Sequence, residues 1–117
     1  MLTHSAGFRH NYLTTAVEVL TKMGERSGLF EVYATEDCSE VTGEMLGACS
    51  AVLFMTTGEL PMSDRQKNAL IEFVRNGGGF IGVHNATDTF YNFPEYGRML
   101  GGYFSGHPWT QEVYAIV

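Results

Sequence analysis

Apolar residues recur with helical spacing in two long segments of the chain. From Tyr12 to Met23 they follow one face of a helix, and Gly24 and Gly28 lie at its end. The segment "SDRQKNALIEFVRNGG" gives the clearer pattern, because apolar residues recur at the same spacing behind a residue that caps helices well. These two segments predict two amphipathic helices.

Shorter sequence signals set the boundaries of the second helix and predict two further, short helices. Ser63 is the expected N-cap, since Gln66 follows three residues later, and Asn76 with the glycine after it stops the helix. The segment 41–48 predicts a short, poorly formed helix, and 94–100 predicts another short one. The helices are therefore spread along the chain.

Strands are predicted between these helices. The segment Leu29–Thr35 alternates apolar and polar residues, as a strand does, whereas Ala51–Thr57 and Gly79–His84 are continuous apolar runs that predict strands covered on both faces. Residues 1–3 are expected to form a short first strand, and the closing 112–117 a last one. Strands and helices thus alternate.

This alternation predicts an α/β fold of three layers, in which a mostly parallel sheet is flanked by helices. Because no repeat, low-complexity tract or linker interrupts the chain, a single domain over residues 1–117 is expected. The first strand is very short and the last apolar run ends at Val117. We therefore expect a domain truncated at its C-terminus, or a sheet that a second copy completes in a homo-oligomer.

The composition excludes several classes of protein. Thirteen acidic and seven scattered basic residues give a formal net charge of −6, whereas nucleic-acid binding needs clustered Lys and Arg. No apolar window is long enough to span a bilayer, and no basic and then apolar leader begins the chain. Cys38 and Cys49 stand alone and are expected to stay reduced. We expect a cytoplasmic protein without nucleic-acid or membrane partners.

Ligands of parallel α/β sheets bind beyond the carboxyl ends of the strands, so the loops there are the candidate site. In "GFIGVHNATD" the strand turns sharply at His84, where class I glutamine amidotransferases carry a nucleophilic Cys. Neither cysteine has a neighbouring cation or helix N-terminus that would activate it, so glutamine amidotransferase chemistry is not expected. His84 is then a general acid/base, a metal ligand or a residue that orders the loop. Asp88 either orients its imidazole or, with Thr87, caps the next turn.

Other loops add candidates to this edge. His10 closes the loop after the first strand and precedes a helix, while Arg9 is either an anion clamp or a surface residue. His107 precedes the last strand, and if that strand runs antiparallel its start returns to the same edge of the sheet. His10, His84 and His107 are then candidate ligands of a divalent metal, together with Asp88 or Glu59. The glycine pattern of a dinucleotide site is absent, so no nucleotide cofactor is expected. Trp109 and the other aromatic residues after His84 either form a platform for sugar rings or cover the edge of the sheet.

Five segments in this order carry a resemblance: "GFRH", "YATED", "AVLFMTTGE", "GGGFIGVHNATDT" and "GGYFSGHPWTQEV". Together they are similar to the ThuA-like, or trehalose-utilisation, family. The resemblance implies a flavodoxin-like fold of the class I glutamine amidotransferase-like group, a role in carbohydrate metabolism and a chain that is usually longer. The matching positions are His10, Glu36, Asp37, Thr57, Gly58, His84, Thr87, Asp88 and His107.

The leading hypothesis is an enzyme that processes a disaccharide or keto-sugar by acid/base chemistry. His84, Asp88 and His10 are the expected catalytic residues. Substrate binding is assigned to Arg9, Thr57, Gly58, Glu59, Thr87 and Trp109. The alternatives are a non-catalytic module that binds carbohydrate or a protein, and an inactive truncated homologue. The enzyme hypothesis requires the histidine side chains to approach one another.

Overall fold

A short parallel sheet lies at the centre of the computed structural model, which describes residues 1–108. Strand β1 (Ala51–Phe54) pairs in parallel with β2 (Gly79–Gly82), so that Ala51 lies opposite Gly79 and Phe54 opposite Gly82. Both strands lie within the continuous apolar runs from which they were predicted. The parallel pairing confirms the α/β class.

Two further extended segments continue the sheet through single bridges. Leu2 pairs in parallel with Phe54 on one side and with Thr35 on the other. The segment order across the sheet is therefore Thr35, Leu2, β1 and β2. Because all four segments run in the same direction, their carboxyl ends lie along one edge, and the loops that leave this edge are neighbours.

Among the described residues, four α-helices form where the sequence predicted them. They are α1 (Leu13–Ser27), α2 (Gly43–Gly47), α3 (Asp64–Arg75) and α4 (Pro94–Leu100). Gly28 ends α1 in a left-handed conformation, with φ 65°, and its N–H donates to the Gly24 carbonyl at 2.8 Å. Among residues 1–108, no helix combines the length and apolar character needed to cross a membrane.

The core lies between one face of the sheet and the helices α2, α3 and α4. Val52 and Phe54 point to this face from β1, and the Phe54 ring meets the rings of Phe80 and Tyr96 at 5.3 and 6.3 Å between centroids. Tyr96 is fully buried, and its hydroxyl donates to the Ala86 carbonyl at 2.9 Å. The aromatic contacts connect α4 to both strands, which fixes the position of the loop that follows β2.

The predicted strand over Leu29–Thr35 forms only at its end. Thr35 makes a bridge, and the Tyr33 carbonyl accepts a hydrogen bond from the Met1 ammonium, but residues 29–34 adopt no strand. Leu29 is 85% exposed and Phe30 is also exposed, so the alternation of apolar residues does not produce a buried face. Within residues 1–108, the short segment at Met1–Thr3 is the one that pairs with this stretch.

The expectation that both apolar runs are covered on both faces was also wrong. Ile81 in β2 is 48% exposed, and Ala51 in β1 is exposed as well. In the part of the chain that the structure describes, β2 pairs only with β1, and the core that joins β1 to α2, α3 and α4 lies on the opposite face. The predicted last strand, 112–117, lies outside the described residues.

Gln66 connects the start of α3 to the turn that precedes α2. Its backbone N–H donates to the Ser63 hydroxyl while the Ser63 N–H donates to its side-chain oxygen, which completes the predicted capping box. The Gln66 amide also donates to the carbonyls of Cys38 and Val41, at 2.7 and 3.1 Å. One side chain thus satisfies backbone groups of two elements.

We expect Gln66→Ala to lower the free energy of unfolding by about 1–3 kcal/mol, because it removes half of the capping box and the amide that donates to two carbonyls, of which that of Cys38 keeps the Val41 N–H. Gln66→Glu keeps the oxygen that caps α3 but loses the amide donor, so its loss should be intermediate. Asn68→Ala, at an exposed position of the same helix, is the control. Urea unfolding measures all three variants, and equal stabilities of Gln66→Ala and the control would contradict this role.

Candidate functional site

The three loops predicted to form a crevice contact one another at the carboxyl edge of the sheet. The Ala6 N–H donates to the Thr57 carbonyl at 2.8 Å, which joins the first loop to the loop after β1. The Gly58 N–H donates to the Asp88 carbonyl at 2.6 Å, and the Phe90 N–H returns to the Gly58 carbonyl at 3.2 Å. Backbone hydrogen bonds thus connect the loops in series.

Gly58 allows this close approach. It has φ 77°, and a Cβ atom at this position would lie 2.7 Å from the Gly7 nitrogen. A side chain would therefore meet both a disfavoured backbone conformation and the neighbouring loop. Gly58, predicted as a substrate-binding residue, acts here as the contact point between loops.

His84 lies at the sharp turn after β2. The Val83 N–H still donates to the Phe54 carbonyl at 3.1 Å, as the strand would, but His84 has φ 50° and begins a 3-10 turn over residues 84–87. A non-glycine residue in the left-handed region costs of order 1–3 kcal/mol and persists only where the surroundings enforce it. The strained turn leaves the His84 side chain exposed at the edge of the sheet.

Asn85 holds this turn in place. Its side-chain amide donates to the Thr56 carbonyl at 3.1 Å, and its oxygen accepts a hydrogen bond from the Tyr12 hydroxyl at 2.6 Å. Asn85 is only 5% exposed, so the loss of either partner would leave a buried polar group unsatisfied. Burial also raises the pKa of Tyr12, which keeps its hydroxyl protonated as the donor.

His10 and His84 converge, as the enzyme hypothesis requires. Their ring centroids lie 4.8 Å apart at an angle of 74° between the planes. Tyr12 lies beside both, at 5.1 Å from His10 and 5.7 Å from His84, and Phe8 contacts His10 at 4.9 Å. Four rings from two loops therefore form one cluster, which we call the histidine cluster: Phe8, His10, Tyr12 and His84.

Asp88 does not orient His84. Its carboxylate accepts a hydrogen bond from the Tyr91 hydroxyl at 2.7 Å, and no hydrogen bond joins it to the His84 ring in this structure. Partial burial, with the Asp88 carboxylate as a second cause, raises the pKa of Tyr91 to about 12. The Tyr91 hydroxyl also lies 2.9 Å from the Phe104 carbonyl, so Asp88 serves to order the following segment.

Arg9 is engaged by a carboxylate of the chain itself. Its guanidinium donates to both oxygens of Glu36, at 2.6 and 3.0 Å, and both side chains are more than half exposed. The hydrogen bond from Arg9 lowers the pKa of Glu36. This ion pair connects the loop that carries His10 to the segment after Thr35, and it occupies the residue that was a candidate anion clamp.

The remaining candidates for substrate binding are likewise bonded within the protein. The buried Thr57 hydroxyl donates to the Phe8 carbonyl at 2.9 Å, and the Glu59 carboxylate accepts from the Asn92 N–H at 3.1 Å. The Thr87 carbonyl accepts from the Phe104 N–H at 2.9 Å. Trp109 lies outside the described residues.

The three histidines do not form a metal site in this structure. Within residues 1–108, no group of three His, Cys, Asp or Glu side chains is placed to hold a metal ion. The exposed His107 ring contacts Phe104, with 4.8 Å between centroids, whereas His10 and His84 contact each other. The expected set of His10, His84 and His107 is therefore corrected to a pair.

Sequence reasoning placed the two histidines at one edge but missed Phe8, Tyr12 and Asn85. Tyr12 was counted as the beginning of a helical pattern, although α1 begins at Leu13. Asn85 follows His84 directly, and a polar side chain beside a predicted strained turn was the available signal. Its contact with Tyr12, 73 positions earlier in the chain, depends on the folded structure.

Gly58→Ala should destabilise the protein more than Gly77→Ala does. Both glycines have positive φ, but a Cβ at Gly77 would meet nothing within 4 Å, whereas one at Gly58 would meet the backbone of Gly7. Gly77→Ala is the control, and it should lower the free energy of unfolding by about 1 kcal/mol from backbone strain alone. Denaturant unfolding of both variants isolates the contact between loops, and equal losses would show that the contact is unimportant.

Cys38 should resist thiol reagents in the folded protein. It is 2% exposed, and burial, followed by the charge of Asp37, raises the pKa of its thiol to about 11, so little reactive thiolate exists at pH 8. Peptide-level mass spectrometry after labelling at pH 8, with and without urea, should show rapid modification only in urea. The less buried Cys49 is the internal control. Rapid labelling of native Cys38 would contradict the burial.

Comparison with known proteins identifies the family. The family model described as "ThuA: Trehalose utilisation" matches residues 1–117, the whole chain. No curated protein and no solved structure matches the chain. The family model agrees with the resemblance carried by the histidine loops. Since the match extends over the full sequence, the chain belongs to the ThuA, or trehalose-utilisation, family.

Proposed function

We propose that this chain processes a disaccharide of the trehalose type, or its oxidised keto form, by acid/base chemistry at His10 and His84. Membership of the ThuA family suggests a role in carbohydrate metabolism. The observation that carries the proposal is the contact between the two imidazoles, 4.8 Å apart between centroids, at the carboxyl edge of the parallel strands. Ligands of α/β sheets bind at this edge.

Two imidazoles match what cleavage of a keto-disaccharide needs. One takes a proton from the carbon next to the carbonyl, and the electron pair of that C–H bond forms a double bond to the neighbouring carbon. The bond from that carbon to the glycosidic oxygen breaks, and the departing oxygen takes a proton from the second imidazole in its protonated form. The products are an unsaturated keto-sugar and a free sugar, and no oxidant is consumed.

The backbone of the site supports this assignment. The left-handed turn at His84 is stabilised by the buried amide of Asn85, so its side chain is presented at a defined position. Strained backbone conformations of this kind cluster at functional sites, where they hold a side chain in a particular orientation. The site would thus resemble an amidotransferase elbow whose nucleophile is replaced by an acid/base residue.

We also propose that the chain has flavodoxin-like layering. The order of the parallel segments, Thr35, Leu2, β1 and β2, is the chain order 2-1-3-4, which is also the beginning of the flavodoxin-like order. Helices α2 and α3 contact each other, and α3 also contacts α4. We take this arrangement as support for flavodoxin-like layering of the kind found in class I glutamine amidotransferases.

A non-catalytic carbohydrate-binding module is the second candidate. The observation that favours it is the pairing of Asp88 with Tyr91, because His84 then lacks the carboxylate that often orients a catalytic imidazole. In this case the histidine cluster would bind a sugar without transforming it. The two candidates differ in whether sugar that binds is also consumed.

His84→Asn should lower turnover of the keto form of trehalose by at least about 100-fold, since general acid/base groups contribute about that much or more. Asn is preferable to Ala here because it tolerates the left-handed backbone, so the fold is retained. Product formation is followed by NMR, and the unfolding midpoint checks the fold.

His4→Gln is the matched control. The His4 ring lies on the loop that carries His10, but its Nδ1 is 2.8 Å from the Glu36 carbonyl, outside the histidine cluster. Its turnover should stay near that of the wild type. Wild-type turnover in His84→Asn would contradict the enzyme assignment. Sugar binding without turnover by the unmodified protein would favour the binding module.

A further inference from the structure

Phe8 presents an apolar ring beside the paired histidines. Phe8 is 70% exposed. It belongs to the histidine cluster, which also contains the two proposed catalytic residues. Its ring meets the His10 ring at 4.9 Å and 77°, an edge-to-face contact. Because the contact is edge to face, at most one face of the Phe8 ring is occupied by His10.

The backbone of Phe8 is held in place. Its carbonyl accepts a hydrogen bond from the buried Thr57 hydroxyl at 2.9 Å, and the preceding Gly7 N–H donates to the Thr57 carbonyl at 3.2 Å. The ion pair between Arg9 and Glu36 fixes the residue on the other side. An exposed aromatic ring on a fixed loop costs little entropy when it binds a ligand, so it is suited to recognition.

We propose that Phe8 is the stacking platform for the non-reacting ring of a disaccharide, and that it makes this site prefer disaccharides to smaller glycosides. This inference rests on the proposed function of the histidine pair. Pyranose rings present an apolar face of C–H groups, and an aromatic face is the surface that such a ring packs against. The proposal therefore assigns the two rings of the substrate to two different parts of the cluster.

The spacing of the cluster fits this division. The centroid of Phe8 lies 4.9 Å from that of His10, and the centroid of His10 lies 4.8 Å from that of His84. Each step is comparable to the width of one pyranose ring. A sugar ring that stacks on Phe8 would leave its linked neighbour against His10 and His84, where the glycosidic bond is to be broken.

The test compares two substrates in variants of Phe8. The ratio of kcat/KM for the keto form of trehalose to that for the keto form of methyl glucoside should fall about fivefold in Phe8→Ala, through a higher KM for the disaccharide. Phe8→Tyr should keep the wild-type ratio, whereas Phe8→Leu should resemble Phe8→Ala. Tyr33→Ala is the control, because Tyr33 is an exposed aromatic residue outside the histidine cluster, with its hydroxyl bonded to Glu40.

The substrate ratio separates stacking from an indirect effect on His10. If Phe8 only supported the His10 ring, kcat would fall equally for both substrates and the ratio would not change. An unchanged ratio would overturn the inference about Phe8 while the proposed function stands. The proposed function fails separately, if the wild type turns over neither substrate.

Binding decides the inference even without turnover. Saturation-transfer NMR with unmodified trehalose should show binding to the wild type and to His84→Asn, and a weaker signal with Phe8→Ala. Equal binding by Phe8→Ala and the wild type, or no binding by either, would overturn the inference.

Discussion

The hydrogen bonds of the Asn85 side chain are the interaction on which the rest of the site depends. They join the Tyr12 hydroxyl, just before α1, to the Thr56 carbonyl, just after β1, through a residue in the turn after β2. Three separate parts of the chain thus meet at one buried amide. An amide can do this because it donates on one side and accepts on the other. The turn at His84 is strained, and this pair of hydrogen bonds is what offsets the strain.

The parallel arrangement explains why the chemistry gathers at one edge. Parallel strands send all their following loops to the same end of the sheet, so residues far apart in sequence become neighbours there. The approach is close enough to need Gly58, where a side chain would collide with the first loop. The buried hydroxyls of Thr56 and Thr89, 2.9 Å apart, then satisfy polar groups beneath the loops. The same packing that stabilises the edge therefore brings His10 to His84.

Much of this arrangement was predictable from the sequence, and the errors have physical causes. The helices were predicted correctly because their apolar periodicity and their capping residues agree, as at Ser63 and Gln66. The convergence of His10 and His84 followed from the rule for parallel strands.

The predicted strand at Leu29–Thr35 did not form over most of its length, because alternation shows which residues share a face but not whether another segment lies alongside. The sequence left two roles open for Asp88, and the tight turn after His84 directs its carboxylate to Tyr91. Pairings of this kind depend on side-chain direction, which a linear pattern does not contain.

The ion pair between Arg9 and Glu36 has a consequence for how the loop responds to its surroundings. Both groups are exposed, so dissolved ions weaken their attraction, with a screening length of about 8 Å at physiological ionic strength. The loop that contains Arg9 also carries Phe8 and His10, whereas the buried hydrogen bonds of Asn85 are shielded from the solvent. Salt would thus loosen the outer side of the histidine cluster while its inner side stays ordered. The two histidines are therefore unequal: the position of His84 is set by the protein interior, and that of His10 depends in part on the ionic medium.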